Sequence, residues 1–140
     1  MDLDCILNYE YERMQKQKIK FTQKIELYKL PVKGEDMMII MGNLLENAIE
    51  ASMKCQIEKR RIELTIQQIN EIVFLDVKNL ISDAANLNGL QSQKADKIMH
   101  GWGIKNIKQI VDENHGEMQC ACKDGMFDVN IIFMEDKEYE

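Results

Sequence analysis

Proline is nearly absent from this chain of 140 residues; the single one is Pro31. Proline-rich linkers and polyproline ligand segments are thereby excluded. Aromatic residues make up only 6% of the sequence, with one tryptophan, Trp102. Basic residues are in deficit, 18 Lys and Arg against 24 Asp and Glu, for a net charge of −6. That balance argues against non-specific contact with nucleic acid or an anionic membrane, and neither is expected as a partner. No apolar run approaches the roughly 18–20 residues of a membrane span. Met1-Asp-Leu-Asp has neither the basic start nor the apolar core of a signal peptide. The four cysteines, at 5, 55, 120 and 122, match neither a disulfide framework nor a zinc ribbon. They read as buried, reduced thiols in a reducing compartment.

What is present describes one globular domain. Hydrophobic residues reach 45% and charged residues 30%, ordinary values for such a domain. Leu3, Ile6, Leu7 and Met14 stand near helical spacing, so residues 1–17 read as a helix or its tail. Ile19, Phe21, Ile25 and Leu27 fall on alternate positions and predict a strand, ended at Leu30-Pro31. Gly34 to Cys55 carries a wide apolar stripe through Met37, Met41, Leu44, Leu45, Ala48 and Ile49, the mark of a long helix. Ile62, Leu64, Ile66 and then Val73, Leu75, Val77 alternate on either side of Asn70-Glu71 and predict a hairpin. From Leu80 to His100 the periodicity disappears, which points to a mobile lid. Gly103 to Asn114 has helical spacing, with His115-Gly116 as its stop and Gly116 expected at C′. Met118, Cys120, Cys122 and Phe127, Val129, Ile131, Phe133 predict two more strands about Asp124-Gly125. Residues 135–140 read as an acidic, frayed tail. The pattern predicts an α+β domain, a mixed sheet of about five strands with its helices on one face.

Three segments stand apart chemically. In Asn43-Leu-Leu-Glu-Asn47-Ala-Ile-Glu-Ala51, two carboxamides four residues apart share one helix face. Asn is a mediocre helix former, so the pair fits either a polar face or an oxygen site for a hard cation. Glu46 and Glu50 are expected on the solvated side or flanking that site. His100-Gly101-Trp102-Gly103-Ile104-Lys105-Asn106 places two glycines just before a helix, where backbone N–H groups bind anions. Val77-Lys78-Asn79 carries an amide in an otherwise apolar strand.

Together these segments resemble the ATP-binding catalytic domain of sensor histidine kinases, in the GHKL ATPase superfamily. The Asn43–Ala51 segment looks like that family's N box, and Gly101 to Asn106 like its second glycine box. Leu7-Asn8, Ser92-Gln-Lys94 and His100 are similar to the peptide-pheromone, quorum-sensing branch. The resemblance implies a Bergerat-type two-layer α/β sandwich that binds ATP and Mg²⁺. It implies that Asn47, with Asn43, ligates Mg²⁺ and serves the reaction. It implies that Gly101, Trp102, Gly103 and Ile104 wrap the phosphates, with His100 in the same loop and Lys94 or Lys105 neutralising charge. Relatives carry Asp-x-Gly-x-Gly where this chain has Asn79 to Ile81 and beyond, so Asn79 takes the place of the adenine-reading aspartate and both glycines are missing.

ATP-hydrolysing relatives place a glutamate where this chain has Asn43, and an amide cannot act as a general base on water. ATP is therefore expected to be held for an acceptor other than water, and the resemblance implies that this is a histidine on a separate dimerisation domain, with a response regulator downstream. On that reading residues 1–17 are a linker or remnant of the preceding helix, and residues 18–134 are the catalytic domain. The chain would be the cytoplasmic catalytic part of a membrane-bound sensor kinase, not autophosphorylating alone. Two alternatives remain at this point. One is a degenerate kinase domain acting as a nucleotide- or partner-binding module. The other is a serine kinase of the anti-sigma type on the same scaffold.

Overall fold

The computed structural model describes residues 3–81 and 104–134. In chain order these form α1 (Leu3–Lys16), β1 (Lys20–Glu26), α2 (Gly34–Met53), a short 3-10 turn (Ile57–Lys59), β2 (Arg61–Ile69), β3 (Ile72–Leu80), α3 (Ile104–Glu113), β4 (Glu117–Lys123) and β5 (Met126–Phe133). The strands make one sheet in the order β1-β2-β3-β5-β4. β1 and β2 are parallel, as a crossover through α2 requires, and every other neighbouring pair is antiparallel.

Alternation decides the layers. Ile62, Leu64 and Ile66 of β2, Val73, Leu75 and Val77 of β3, and Phe127, Val129, Ile131 and Phe133 of β5 are buried. Their neighbours in sequence, such as Glu63, Asp76 and Asn130, are only partly covered, on the opposite face. α2 lies across the buried face against β2 and β3, flanked by α1 and α3. Its stripe, Met37, Ile40, Met41, Leu44, Leu45, Ala48 and Ile49, supplies the other half of the core. The result is the mixed-sheet α+β sandwich, helices on one face, that the periodicity predicts.

The helix over residues 3–16 is not peripheral to this core. Leu7 and Met14 are buried in the same cluster as α2 and the sheet. Gly42 of α2 faces α1 with room for a side chain: a Cβ there would stand 3.8 Å from Ile6 Cδ1, ordinary contact distance.

Two helices end on left-handed residues that are not glycine. Lys18 has φ 56° and His115 φ 59°. In each case the next residue donates back five positions, Ile19 N–H to Met14 O at 2.9 Å and Gly116 N–H to Val111 O at 2.8 Å. These are Schellman closures, and the bonding fixes the positions. His115, not Gly116, therefore occupies C′, which corrects the expectation for Gly116. Gly116 is needed for a different reason. A Cβ at that position would lie 2.8 Å from Ile132 O and 2.9 Å from the Phe133 ring. At Asp124-Gly125 both residues do take positive φ, 53° and 77°, the type I′ turn expected of an Asp-Gly hairpin.

The thiols also need one correction. Cys55 and Cys122 are buried and Cys120 partly so, but Cys5 on α1 is exposed, because its position falls off the Leu3–Leu7–Met14 stripe.

Candidate nucleotide site

α2 and α3 pack against each other. A polar cleft is lined both by Leu30 and Pro31, just ahead of α2, and by Glu113 and Asn114, at the end of α3. The end of α3 thus lies at the pole where α2 begins. α3 starts toward the other pole, where the C-terminal half of α2 and the end of β3 lie. Asn43 and Asn47 project from α2, both partly exposed. Asn79 sits on β3 between Ile62 of β2 and Phe127 of β5, on the core face.

Asn79 is the most telling of the three. It is 2% exposed in a row of hydrophobic side chains, a costly place for an amide without partners. Its Nδ2 donates to Leu80 O at 3.1 Å. One of its two N–H donors is so used, and its Oδ1 is an acceptor. The neighbouring Cys55 Sγ also donates to Leu80 O, at 3.5 Å, and so ties the end of α2 to the end of this strand. β3 continues through Leu80, and Ile81 N–H then bonds Gly125 O at 2.9 Å.

Ile104 opens α3 with its side chain buried, 1% exposed, so only its backbone N–H is offered at the helix start. The first turn of α3 contains no acidic residue of its own to offset the partial positive charge of a helix N-terminus. Lys105 is exposed beside it. Lys94, His100, Gly101, Trp102 and Gly103 lie outside the described residues, as do the expected lid and the acidic tail.

No cluster of His, Cys, Asp and Glu among the described residues is arranged to hold a metal. Oxygen donors on this face of α2 include the amides of Asn43 and Asn47 and the exposed carboxylate of Glu50, three residues beyond Asn47. Few protein ligands, all oxygen, suit Mg²⁺ held largely by phosphates and water; they do not suit a soft or zinc-like ion. The residues present fit the implied metal.

One group escaped the sequence reading. Glu10 of α1 is 1% exposed and its Oε2 has no hydrogen-bond partner. Arg13 stands 3.6 Å from that oxygen and also hydrogen-bonds Glu46 of α2. Burial first, and then the Glu46 charge, push the Glu10 carboxyl up to about 7, against the pull of Arg13. Glu46, its side chain 38% exposed, is held by Arg13 at the α1 side of the amide face, and Glu50 is exposed. The signal was available: Leu3, Leu7, Glu10 and Met14 follow a 4-3-4 spacing, which puts a carboxylate on the apolar stripe.

Residues 32–134 match the family described as the GHKL domain. This span is most of the chain, and the chain belongs to that family. The probable C4-dicarboxylate sensor kinase of Bacillus subtilis (strain 168) is 27% identical over 99 residues, 63% of this chain and 17% of that protein. The chain therefore spans about a sixth of that relative's length. Among solved structures, the nucleotide-free catalytic domain of histidine kinase ThkA superposes with a TM-score of 0.70 at 17% identity, covering 96% of this chain and 94% of that one. The mycobacterial sensor histidine kinase MprB gives 0.70 at 15% identity, with 96% of each chain covered. Acinetobacter baumannii histidine kinase AdeS gives 0.62 at 12% identity, over 98% of this chain and 66% of that one. This GHKL domain has the fold of a histidine kinase catalytic domain.

Proposed function

We propose that this domain binds Mg-ATP and supplies its γ-phosphoryl group to a histidine on a separate dimerisation domain of a two-component sensor kinase. The observation that carries the reading is Asn79, a buried amide on the core face of β3, one N–H of which donates to Leu80 O, at the same pole as the amides of α2 and the start of α3. Its Oδ1 accepts the adenine amino group. Asn47 and Asn43 would hold the Mg²⁺, which would supply positive charge against the phosphates. The start of α3, at Ile104 and Lys105, takes part of the phosphate charge, with Gly101, Trp102, Gly103, His100 and Lys94 completing the enclosure. In the transfer the bond from the γ-phosphorus to the bridging oxygen breaks, a bond to an imidazole nitrogen forms, and ADP leaves. The domain contributes position and electrostatics, and no general base for water, since position 43 is an amide.

The Asn8, Ser92-Gln-Lys94 and His100 pattern supports a place in the peptide-pheromone, quorum-sensing branch, with a cytoplasmic response regulator as the downstream partner. No helix among the described residues is long and apolar enough to cross a membrane. The second reading, a module that binds nucleotide weakly or docks a partner, draws on one observation. β3 runs on through Leu80, and Ile81 is bonded to Gly125, where relatives have two glycines.

The test is titration with Mg-ADP, followed by transfer from labelled ATP to a separately supplied dimerisation domain and an assay for acid-labile phosphate. Saturable, magnesium-dependent binding and acid-labile label on the partner are expected. Binding without transfer favours the module. No binding at millimolar nucleotide refutes the kinase reading.

A further inference from the structure

The ion pair between α1 and α2 touches the proposed nucleotide site through the helix itself. Glu46 is adjacent to Asn47 and one turn beyond Asn43. At about 100° per residue, it flanks the face bearing the two amides and is turned toward α1. Arg13 reaches across to it from α1. This guanidinium also faces Glu10, the buried carboxyl, 3.6 Å from its Oε2, which has no hydrogen-bond partner. One cation therefore serves two acids on two helices. Gly42, one residue before Asn43, faces α1: a Cβ built on it would stand 3.8 Å from Ile6 Cδ1. A shift of α1 along α2 has to break this pair or carry the N-box turn with it.

We propose that Arg13 is a positioning residue for the Mg-nucleotide site: by holding Glu46 it sets the placement of Asn43 and Asn47, so that docking of α1 and binding of the magnesium-bound phosphates are coupled. The inference rests on the nucleotide-binding reading above. By linkage the coupling is reciprocal, so bound Mg-ADP strengthens α1 docking as much as docked α1 strengthens binding. An element that moves α1 would thereby tune the site without touching it.

The experiment measures ADP affinity by calorimetry with magnesium and again with EDTA, in the whole chain. The readout is the ratio of the two affinities, for the parent, Arg13→Met, Glu46→Gln, their double variant and Arg13→Lys. Thermal unfolding checks that each is folded. A merely structural defect lowers both affinities and leaves their ratio unchanged. A through-space effect of charge on the cation moves the ratio in opposite directions in Arg13→Met and Glu46→Gln. Positioning moves it the same way in both. The expected result is a three- to tenfold fall of the ratio in each single variant, the same fall in the double variant, and at least half of the parental ratio retained by Arg13→Lys. An unchanged ratio, opposite signs, or losses that multiply in the double variant overturn the proposal while leaving the nucleotide reading intact. A parent that binds no ADP with magnesium overturns both.

Discussion

Asn79→Asp separates the binding role of this residue from its structural one. The substitution is isosteric, so packing against Ile62 and Phe127 is retained. Without ligand it is unfavourable: the bond from Nδ2 to Leu80 O is lost, and a second acceptor then faces that carbonyl at a position 2% exposed. A lost hydrogen bond together with a buried, uncompensated polar atom costs about 2–3 kcal/mol. For a chain of 140 residues, each kcal/mol lowers the melting temperature by about 3–4 °C, so the free variant should melt roughly 6–12 °C below the parent. With ligand the sign reverses. A carboxylate accepts from the adenine amino group about twice as strongly as an amide, worth about 1 kcal/mol and roughly fivefold in affinity. Calorimetry with Mg-ADP should therefore show tighter binding by a less stable protein. Two results refute the reasoning. A lower melting temperature with weaker binding makes Asn79 structural only. An unchanged melting temperature means that the Leu80 contact contributes nothing.

Two further predictions concern stability. Gly42→Ala adds a Cβ at ordinary contact distance from Ile6, 3.8 Å, inside a helix that glycine weakens, and should stabilise by about 0.5–1 kcal/mol. Gly116→Ala meets Ile132 O at 2.8 Å and the Phe133 ring at 2.9 Å, and should destabilise by about 1–3 kcal/mol; urea titration giving the two changes the same sign would defeat this account. On the outer sheet face, burial first, and then the hydrogen bond and charge of Asp76, raise the Asp128 carboxyl to about 7 despite Lys78. The folded state then keeps a proton that the unfolded chain releases near pH 4, so this stabilising contribution is full below pH 4 and lost as pH rises through 7. Glu10 titrates with the same sign, so each variant is compared with the parent at each pH. Asp128→Asn should raise stability at pH 8 by on the order of 1–2 kcal/mol, after allowance for solvent, with no gain at pH 4. An equal effect at both pH values would show that Asp128 carries no unusual proton.

Legibility in this sequence follows the length scale of each interaction. Patterns repeated over many residues survive any single exception, which is why the α2 stripe, the β2–β3 hairpin and the alternation of β5 were readable before any coordinates. Asp124-Gly125 was readable because a type I′ turn needs positive φ at two adjacent positions, and those residue types tolerate it. Gly116 was misplaced because a glycine has two possible uses, conformational freedom and absence of a Cβ, and sequence cannot tell them apart. Only the proximity of Ile132 and Phe133, strand neighbours distant in sequence, decides for the second. The site divides in the same way. Asn43 and Asn47 share a face by local helix geometry, so their pairing was legible. Asn79 stood out as an amide in an apolar strand, yet its commitment to Leu80 O was not visible. The link from Glu10 through Arg13 to Glu46 was missed because Arg13 and Glu46 lie 33 positions apart. Its local trace was a single carboxylate on the stripe of α1, easily read as one more charge on an amphipathic helix. That trace is informative here, because a buried acid on a stripe needs a cation. The cation it recruits, Arg13, also binds the acid beside Asn47, so a local violation of pattern in α1 marks a long-range contact at the proposed site.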